Sequence, residues 1–79
     1  MSPTIFRAGN LRFHFFSLEE DRIHVHVESD RGSAKIWIEP RIEVAENHGL
    51  PATTLRRALW EIQSHETQIR EAWRAHFGA

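Results

Sequence analysis

The first half of the chain alternates apolar and polar residues with a period of two. Three runs show this pattern, and their apolar members are Leu11, Phe13 and Phe15, then Ile23, Val25 and Val27, then Ala34, Ile36 and Ile38. A period of two is typical of strands that bury one face. The polar segments between the runs, residues 17–21 and 29–33, are short enough for hairpin turns. The pattern therefore predicts an antiparallel meander of three strands, which fainter signals at residues 4–7 and 41–44 extend to as many as five.

After residue 50 the apolar residues change to a helical period. They recur at spacings of three, four and seven, at Leu55, Leu59, Ile62, Ile69, Trp73 and Phe77. Pro51 suits the first position of a helix, and Gly78 suits the position just after the last turn. We expect one long helix from residue 51 to about residue 76. The alternative is two consecutive helices with a break at residues 64–67, where Ser64 would cap the second.

These two patterns predict an α+β fold in a single domain that covers residues 1–79. The apolar side of the meander and the apolar stripe of the helix should pack together as two layers, because neither surface is stable in water. A chain of 79 residues has room for only one core. The other face of the sheet is then left to polar and aromatic side chains, namely Arg12, His14, Phe16, His24, His26, Glu28, Lys35, Trp37 and Glu39.

Composition narrows the classes of function. The chain has 10 Lys and Arg residues against 11 Asp and Glu residues, so its net charge does not support a nucleic-acid partner, although it leaves one open. It has no cysteine, which rules out disulfides, thiolate metal sites and a cysteine nucleophile. No signal peptide opens the sequence, and no segment approaches the roughly 20 apolar residues of a membrane span. We therefore expect a cytoplasmic protein without membrane association.

The polar sheet face is the candidate site. His24 and His26 lie two residues apart on one strand, so both imidazoles project from the same face, about 6.5–7 Å apart. This pair could bind a divalent transition metal, with His14, Glu28 or Glu39 as further ligands, or could serve as general acid and base. A face that is simply solvated or covered by a partner is the plainer alternative, and no phosphate-binding glycine loop or nucleophile motif accompanies the pair. We expect no cofactor, and keep a metal on the two histidines as the alternative.

The two tryptophans of the helical segment should have different roles. Trp73 falls in the apolar stripe, so we expect it in the core. Trp60 falls outside the stripe, and an exposed tryptophan is typical of an interface with another protein.

Several short motifs along the chain resemble a bacterial family, the domain of unknown function numbered 4160. They are Pro-Thr-Ile-Phe-Arg at 3–7, His-Val-His-Val at 24–27, Ala-Lys-Ile-Trp-Ile-Glu-Pro at 34–40, Asn-x-Gly-Leu at 47–50, and Ala-Trp with His-Phe-Gly at 72–78. The resemblance covers nearly the whole chain. The sequence departs from the family at residues 21–23, where many relatives have a proline pair, and at Pro51 and Thr54, which replace a Ser…Glu capping box.

The resemblance implies a small bacterial or mobile-element protein, often encoded beside a second small protein in a toxin–antitoxin-like pair, with no established activity. The residues that recur in the family correspond to His24, His26, Lys35, Trp37 and Glu39. We expect a protein that acts by protein–protein recognition in a toxin–antitoxin-like or similar defence-related pair, rather than an enzyme, and whose binding residues are these five and Trp60. The alternative is a small ribonuclease-like or metal-dependent enzyme that uses the same face, with His24 and His26 as metal ligands.

Overall fold

Five strands and two helices follow one another in a computed structural model, which describes residues 4–16 and 22–78. Their bounds are β1 (Thr4–Ala8), β2 (Leu11–His14), β3 (His24–Ser29), β4 (Gly32–Trp37), β5 (Glu43–His48), α1 (Ala52–Ser64) and α2 (Glu66–Phe77). Each strand pairs antiparallel with the next, so the order of strands in the sheet is their order in the sequence. The predicted α+β fold is confirmed, with the meander at its full five strands.

The core lies between one face of the sheet and the two helices. The sheet contributes the alternating apolar residues of the three predicted runs, and the helices contribute Ala58, Ile62, Ile69 and Trp73. Among the described residues, Phe13, Val25 and Ile36 are fully buried, as the period of two predicts. Ile23, which lies just before β3, is only partly buried and packs against this core. Each large apolar side chain buried in this way stabilises the fold by about 1.5–3 kcal/mol.

Gly32 lets β5 approach the start of β4. A Cβ atom on this residue would lie 2.3 Å from the carbonyl oxygen of His48, closer than van der Waals contact allows. Any larger side chain would therefore separate the two strands and move His48 away from the sheet.

The helical segment is broken at His65, so the expectation of one continuous helix is wrong. His65 has φ −114° and ψ 22°, outside the helical range. Backbone hydrogen bonds still bridge the break. The N–H of His65 donates to the carbonyl oxygens of Glu61 and Ile62, and the N–H of Ile69 donates to the carbonyl oxygen of His65. Helix α2 has no side-chain cap, so Ser64 does not cap it either.

The break keeps the helical segment within the dimensions of the molecule. A straight helix over residues 51–76 would be about 39 Å long, whereas the whole molecule measures 33 Å along its longest axis. The interruption keeps both Ile62 and Ile69 fully buried against the sheet. At the other end, Gly78 directly follows the last turn of α2, as predicted. It adopts the left-handed conformation, with φ 79°, and its N–H donates to the carbonyl oxygen of Arg74. Within the described part of the chain, neither helix is long and apolar enough to cross a membrane.

Candidate functional site

The face of the sheet opposite the helices carries one polar row across four strands. His14 on β2 lies opposite His26 on β3. His26 lies opposite Lys35 on β4, and Lys35 lies opposite Glu46 on β5. Directly opposed residues in antiparallel strands have Cβ atoms about 4.5–5.5 Å apart. The imidazoles of His14 and His26 lie stacked with ring centroids 5.7 Å apart. The row therefore brings His26 and Lys35, two of the predicted binding residues, into direct proximity.

A cleft of about 450 Å³ opens over this row. Among the described residues, its lining comes from Arg12, His14, Phe16, His26, Glu28, Ser33, Ala34, Lys35, Glu46 and His48. Phe16 lies against His26, with ring centroids 4.1 Å apart, and is still 45% exposed. The cleft thus combines an accessible aromatic ring with charged groups and imidazoles.

Charges in the cleft are held in pairs. The guanidinium of Arg12 donates to the carboxylate of Glu28, and its Nε donates to Oγ1 of Thr4 at 2.7 Å. Nε2 of His48 donates to Oε1 of Glu46 at 2.8 Å. This hydrogen bond holds the pKa of the Glu46 carboxyl below its ordinary value. The Glu46 carboxylate is therefore ionised and oriented at neutral pH.

Fixed charges balance in the described lining of the cleft. Arg12 and Lys35 contribute two positive charges, and the two carboxylates contribute two negative charges. Three imidazoles, from His14, His26 and His48, add positive charge only when they are protonated. The fixed charges of the cleft therefore form a pattern of both signs rather than a basic surface.

His24 and Trp37 form an aromatic cluster beside the cleft. The His24 ring meets the rings of His26, Trp37 and Trp73 edge-on, with centroids 5.1, 5.5 and 5.4 Å away. Two cations also lie over the Trp37 ring. The Nζ of Lys35 is 4.5 Å and the Cζ of Arg22 is 4.0 Å from the ring centroid, both within cation–π range.

His24 does not lie open on the sheet face, contrary to the expectation from alternation. Its side chain is fully buried, and its Nδ1–H donates to the carbonyl oxygen of Arg22 at 2.7 Å. The indole of Trp73 on α2 contacts both Phe15 in the core and His24 at the first position of β3. His24 therefore supports the neighbouring rings and is not accessible from solvent.

Glu39 and Trp60 lie away from the cleft. Glu39 follows the end of β4, where alternation no longer decides direction, and its carboxylate accepts from Nη1 of Arg70 on α2 at 3.0 Å. The expectation that Glu39 shares the polar sheet face is therefore wrong. Trp60 is exposed on α1, as predicted. The six predicted binding residues thus occupy four places: the cleft, the aromatic cluster, the α2 side of the sheet and the outer face of α1.

Sequence reasoning missed three polar residues of the cleft, Ser33, Glu46 and His48. It predicted a fifth strand at residues 41–44, whereas β5 runs from Glu43 to His48. A register shift after Lys35 then sets the pairing of β5 with β4. The spacing of Glu46 and His48, two residues apart, was the available signal, because such residues on a strand share one face.

The metal prediction gains no geometric support. Across residues 4–16 and 22–78, no group of three or more His, Asp or Glu side chains is arranged to hold a metal ion. The assignment of His24 and His26 as metal ligands therefore still depends on their spacing alone.

Comparison with known proteins supplies the family. A protein-family model described as "Domain of unknown function (DUF4160)" matches residues 10–74, which include the whole cleft row and both helices up to the buried Trp73. No curated protein and no solved structure matches the chain. Since the match covers most of the sequence, the chain belongs to the DUF4160 family.

Proposed function

We propose that this bacterial or mobile-element protein acts in the cytoplasm by protein–protein recognition, as one member of a toxin–antitoxin-like or similar defence-related pair. The open sheet face is the surface that receives the partner. The observation that supports this is the cleft of about 450 Å³ on the side of the sheet away from the helices.

The side chains of the cleft are more typical of a surface that binds a protein than of a site that binds a uniformly negative ligand. Phe16 offers an accessible aromatic ring, and aromatic residues with arginine supply much of the energy of protein interfaces. Arg12, Glu28, Lys35 and Glu46 present charges of both signs around it. A balanced pattern of this kind selects a partner with complementary charges and disfavours a uniformly negative one.

A binding experiment with the neighbouring small protein tests the proposal. The resemblance to the family implies that such a partner is encoded beside this chain. We expect the purified pair to bind in isothermal titration calorimetry, and Phe16→Ala or Lys35→Glu to weaken the affinity at least tenfold. Arg74→Glu, a charge reversal on the exposed side of α2, is the matched control and should change the affinity less than twofold. Absence of binding, or equal losses in all three variants, would contradict the proposal.

The second candidate is a small ribonuclease-like or metal-dependent enzyme. It is favoured by the stacked imidazoles of His14 and His26, which share the cleft with Arg12 and Lys35. Two imidazoles could act as acid and base while the cations stabilise a phosphate. The test is incubation with a labelled RNA, with and without a chelator. Cleavage that His26→Gln abolishes would establish this function, and its loss on chelation would assign it to a metal.

A further inference from the structure

Trp60 is the most exposed large apolar side chain in the described part of the chain, at 63%. It lies on α1, on the side away from the buried residues Ala58 and Ile62. Its indole takes part in none of the ring or cation–π contacts among the described residues. The exposed part of this ring is therefore accessible to a flat ligand that stacks on it.

The exposed face of α1 carries positive charge and no carboxylate. Arg56 and Arg57 precede Trp60 by about one helical turn, and both are exposed. Around the helix axis they lie on either side of the tryptophan, rotated from it by about 40° and 60° in opposite senses. The other exposed residues of α1 are uncharged, namely Ala52, Thr53, Gln63 and Ser64.

These two arginines are not used by the fold. Among the described residues, no ion pair includes Arg56 or Arg57. The guanidinium of Arg57 lies beside Gly9, so the positive charge extends from α1 to the turn between β1 and β2. The carboxylate of Glu61, which follows the tryptophan in the sequence, is directed elsewhere. Its side chain is only 15% exposed and lies 3.7 Å from the Nδ1 of His65. Both guanidinium groups are therefore available to an anionic ligand.

We propose that this face of α1 binds single-stranded nucleic acid, with one base stacked on the indole of Trp60 and the neighbouring phosphates bound by Arg56 and Arg57. Proteins commonly bind single strands in this way, with aromatic rings for the bases and cations for the backbone. A guanidinium suits a phosphate because it donates two parallel hydrogen bonds. Gln63 and Ser64, one turn beyond the tryptophan, supply an amide and a hydroxyl that can contact the edge of the base.

The surroundings of Trp60 favour a nucleic acid over a protein or a membrane. The core of a protein interface is apolar and depleted in charged residues. Trp60 is instead the only large apolar side chain exposed on the described helices, and two arginines flank it. An anionic bilayer likewise takes up a helix that offers several apolar side chains. One base with its phosphates matches one ring with two cations.

The site is independent of the cleft, because α1 covers the opposite face of the sheet. The balanced charges of the cleft disfavour a polyanion, whereas the exposed face of α1 is purely positive. The whole chain has a net charge of −1, so binding should depend on this local surface.

Fluorescence anisotropy with a fluorescein-labelled, single-stranded oligothymidylate at about 50 mM salt tests the site. DNA is the probe because it lacks the 2′-hydroxyl that a ribonuclease-like activity of the cleft would use. We expect the wild-type chain to bind the strand. Trp60→Ala should weaken binding roughly fivefold or more, and Trp60→Phe, which keeps an aromatic ring, should weaken it less. Phe16→Ala, which truncates the exposed ring of the cleft, is the matched control and should change the affinity less than about twofold.

The dependence on salt adds an independent measurement. Arg56→Gln and Arg57→Gln should each weaken binding severalfold. Each should also reduce the slope of log affinity against log salt concentration by about 0.7, the value for one phosphate of a single strand. Arg74→Gln, which removes an exposed arginine from α2, is the control and should leave the slope unchanged.

Three outcomes would overturn the proposal. They are an absence of binding at low salt, binding that is indifferent to Trp60→Ala, and equal affinity for the same strand annealed to oligoadenylate, whose bases are not free to stack. Binding to phosphatidylserine vesicles but not to the oligonucleotide, lost in Trp60→Ala, would replace the nucleic acid with a membrane. Loss of affinity for the neighbouring small protein in Trp60→Ala, without any binding of DNA, would assign the surface to that partner instead.

Discussion

The imidazole of His65 stacks on the phenyl ring of Phe6, with ring centroids 4.1 Å apart and planes 17° from parallel. This contact connects the residue that breaks the helical segment to the first strand of the sheet. Phe6 stacks in turn on Phe13 of the core, at 4.3 Å. The Nδ1–H of His65 also donates to the Glu61 carbonyl oxygen at 2.8 Å. The turn between the two helices is therefore held by packing and by hydrogen bonds.

Phe6→Ala should destabilise the protein by about 2–3 kcal/mol, because it removes a ring that packs on both Phe13 and His65. Urea unfolding followed by circular dichroism measures the change. Phe16→Ala is the control, since its ring is 45% exposed, and it should cost less than about 1 kcal/mol. Equal losses from the two variants would contradict the role of the Phe6 ring in packing the sheet against the helices.

Trp73→Ala should cost about 3–5 kcal/mol, as is usual for a large aromatic side chain lost from a core. Trp73 is 7% exposed and Trp60 is 63% exposed. Trp60→Ala should therefore change the stability of the monomer by no more than about 0.5 kcal/mol. Urea unfolding followed by circular dichroism measures both changes. A smaller loss for Trp73→Ala than for Trp60→Ala would refute the assignment of the core.

His24→Ala and His26→Ala should differ in stability although the two histidines are only two residues apart. His24 is fully buried and its Nδ1–H donates to Arg22, so truncation should cost about 2 kcal/mol or more. His26 is partly exposed, so its truncation should cost less than about 1 kcal/mol. Thermal unfolding at neutral pH separates the two. Indistinguishable melting temperatures would show that the His24 cluster contributes little.

The stability of the fold should depend on pH through Glu46. Its pKa is lowered in the folded state by the hydrogen bond from His48, so the folded protein binds this proton more weakly than the unfolded chain does. The resulting stabilisation is present above the ordinary pKa of a glutamate and disappears as the pH falls through the lowered value. Urea midpoints of wild type and Glu46→Gln between about pH 7 and pH 2 measure it.

The difference in urea midpoint between wild type and Glu46→Gln should be largest near neutral pH and should shrink towards zero in acid. A difference that grows as the pH falls would contradict the direction of the pKa shift. Glu71→Gln, a change at an exposed carboxylate on α2, is the control and should show a smaller dependence on pH.

The sheet and its buried face could be predicted from the sequence because strand geometry is local. Successive side chains point to opposite sides of a strand, so the alternation in residues 11–38 already determined that Phe13, Val25 and Ile36 face the core. The same rule placed His26 and Lys35 together on the other face. The change of period after residue 50 likewise determined that helices cover the sheet, and Gly78 determined where they end.

Only the tertiary structure decided which polar residues remain accessible. His24 is buried in contact with Trp73, the carboxylate of Glu39 is paired with Arg70, and His65, where the helical segment breaks, stacks on Phe6. In each pair the two residues are far apart in the sequence, so neither periodicity nor spacing can reveal that they meet. Glu46 and His48 entered the cleft for the same reason, because the register of β5 depends on an irregularity in its pairing with β4. Local patterns set the direction in which a side chain leaves the backbone, whereas packing between distant elements sets what that side chain meets.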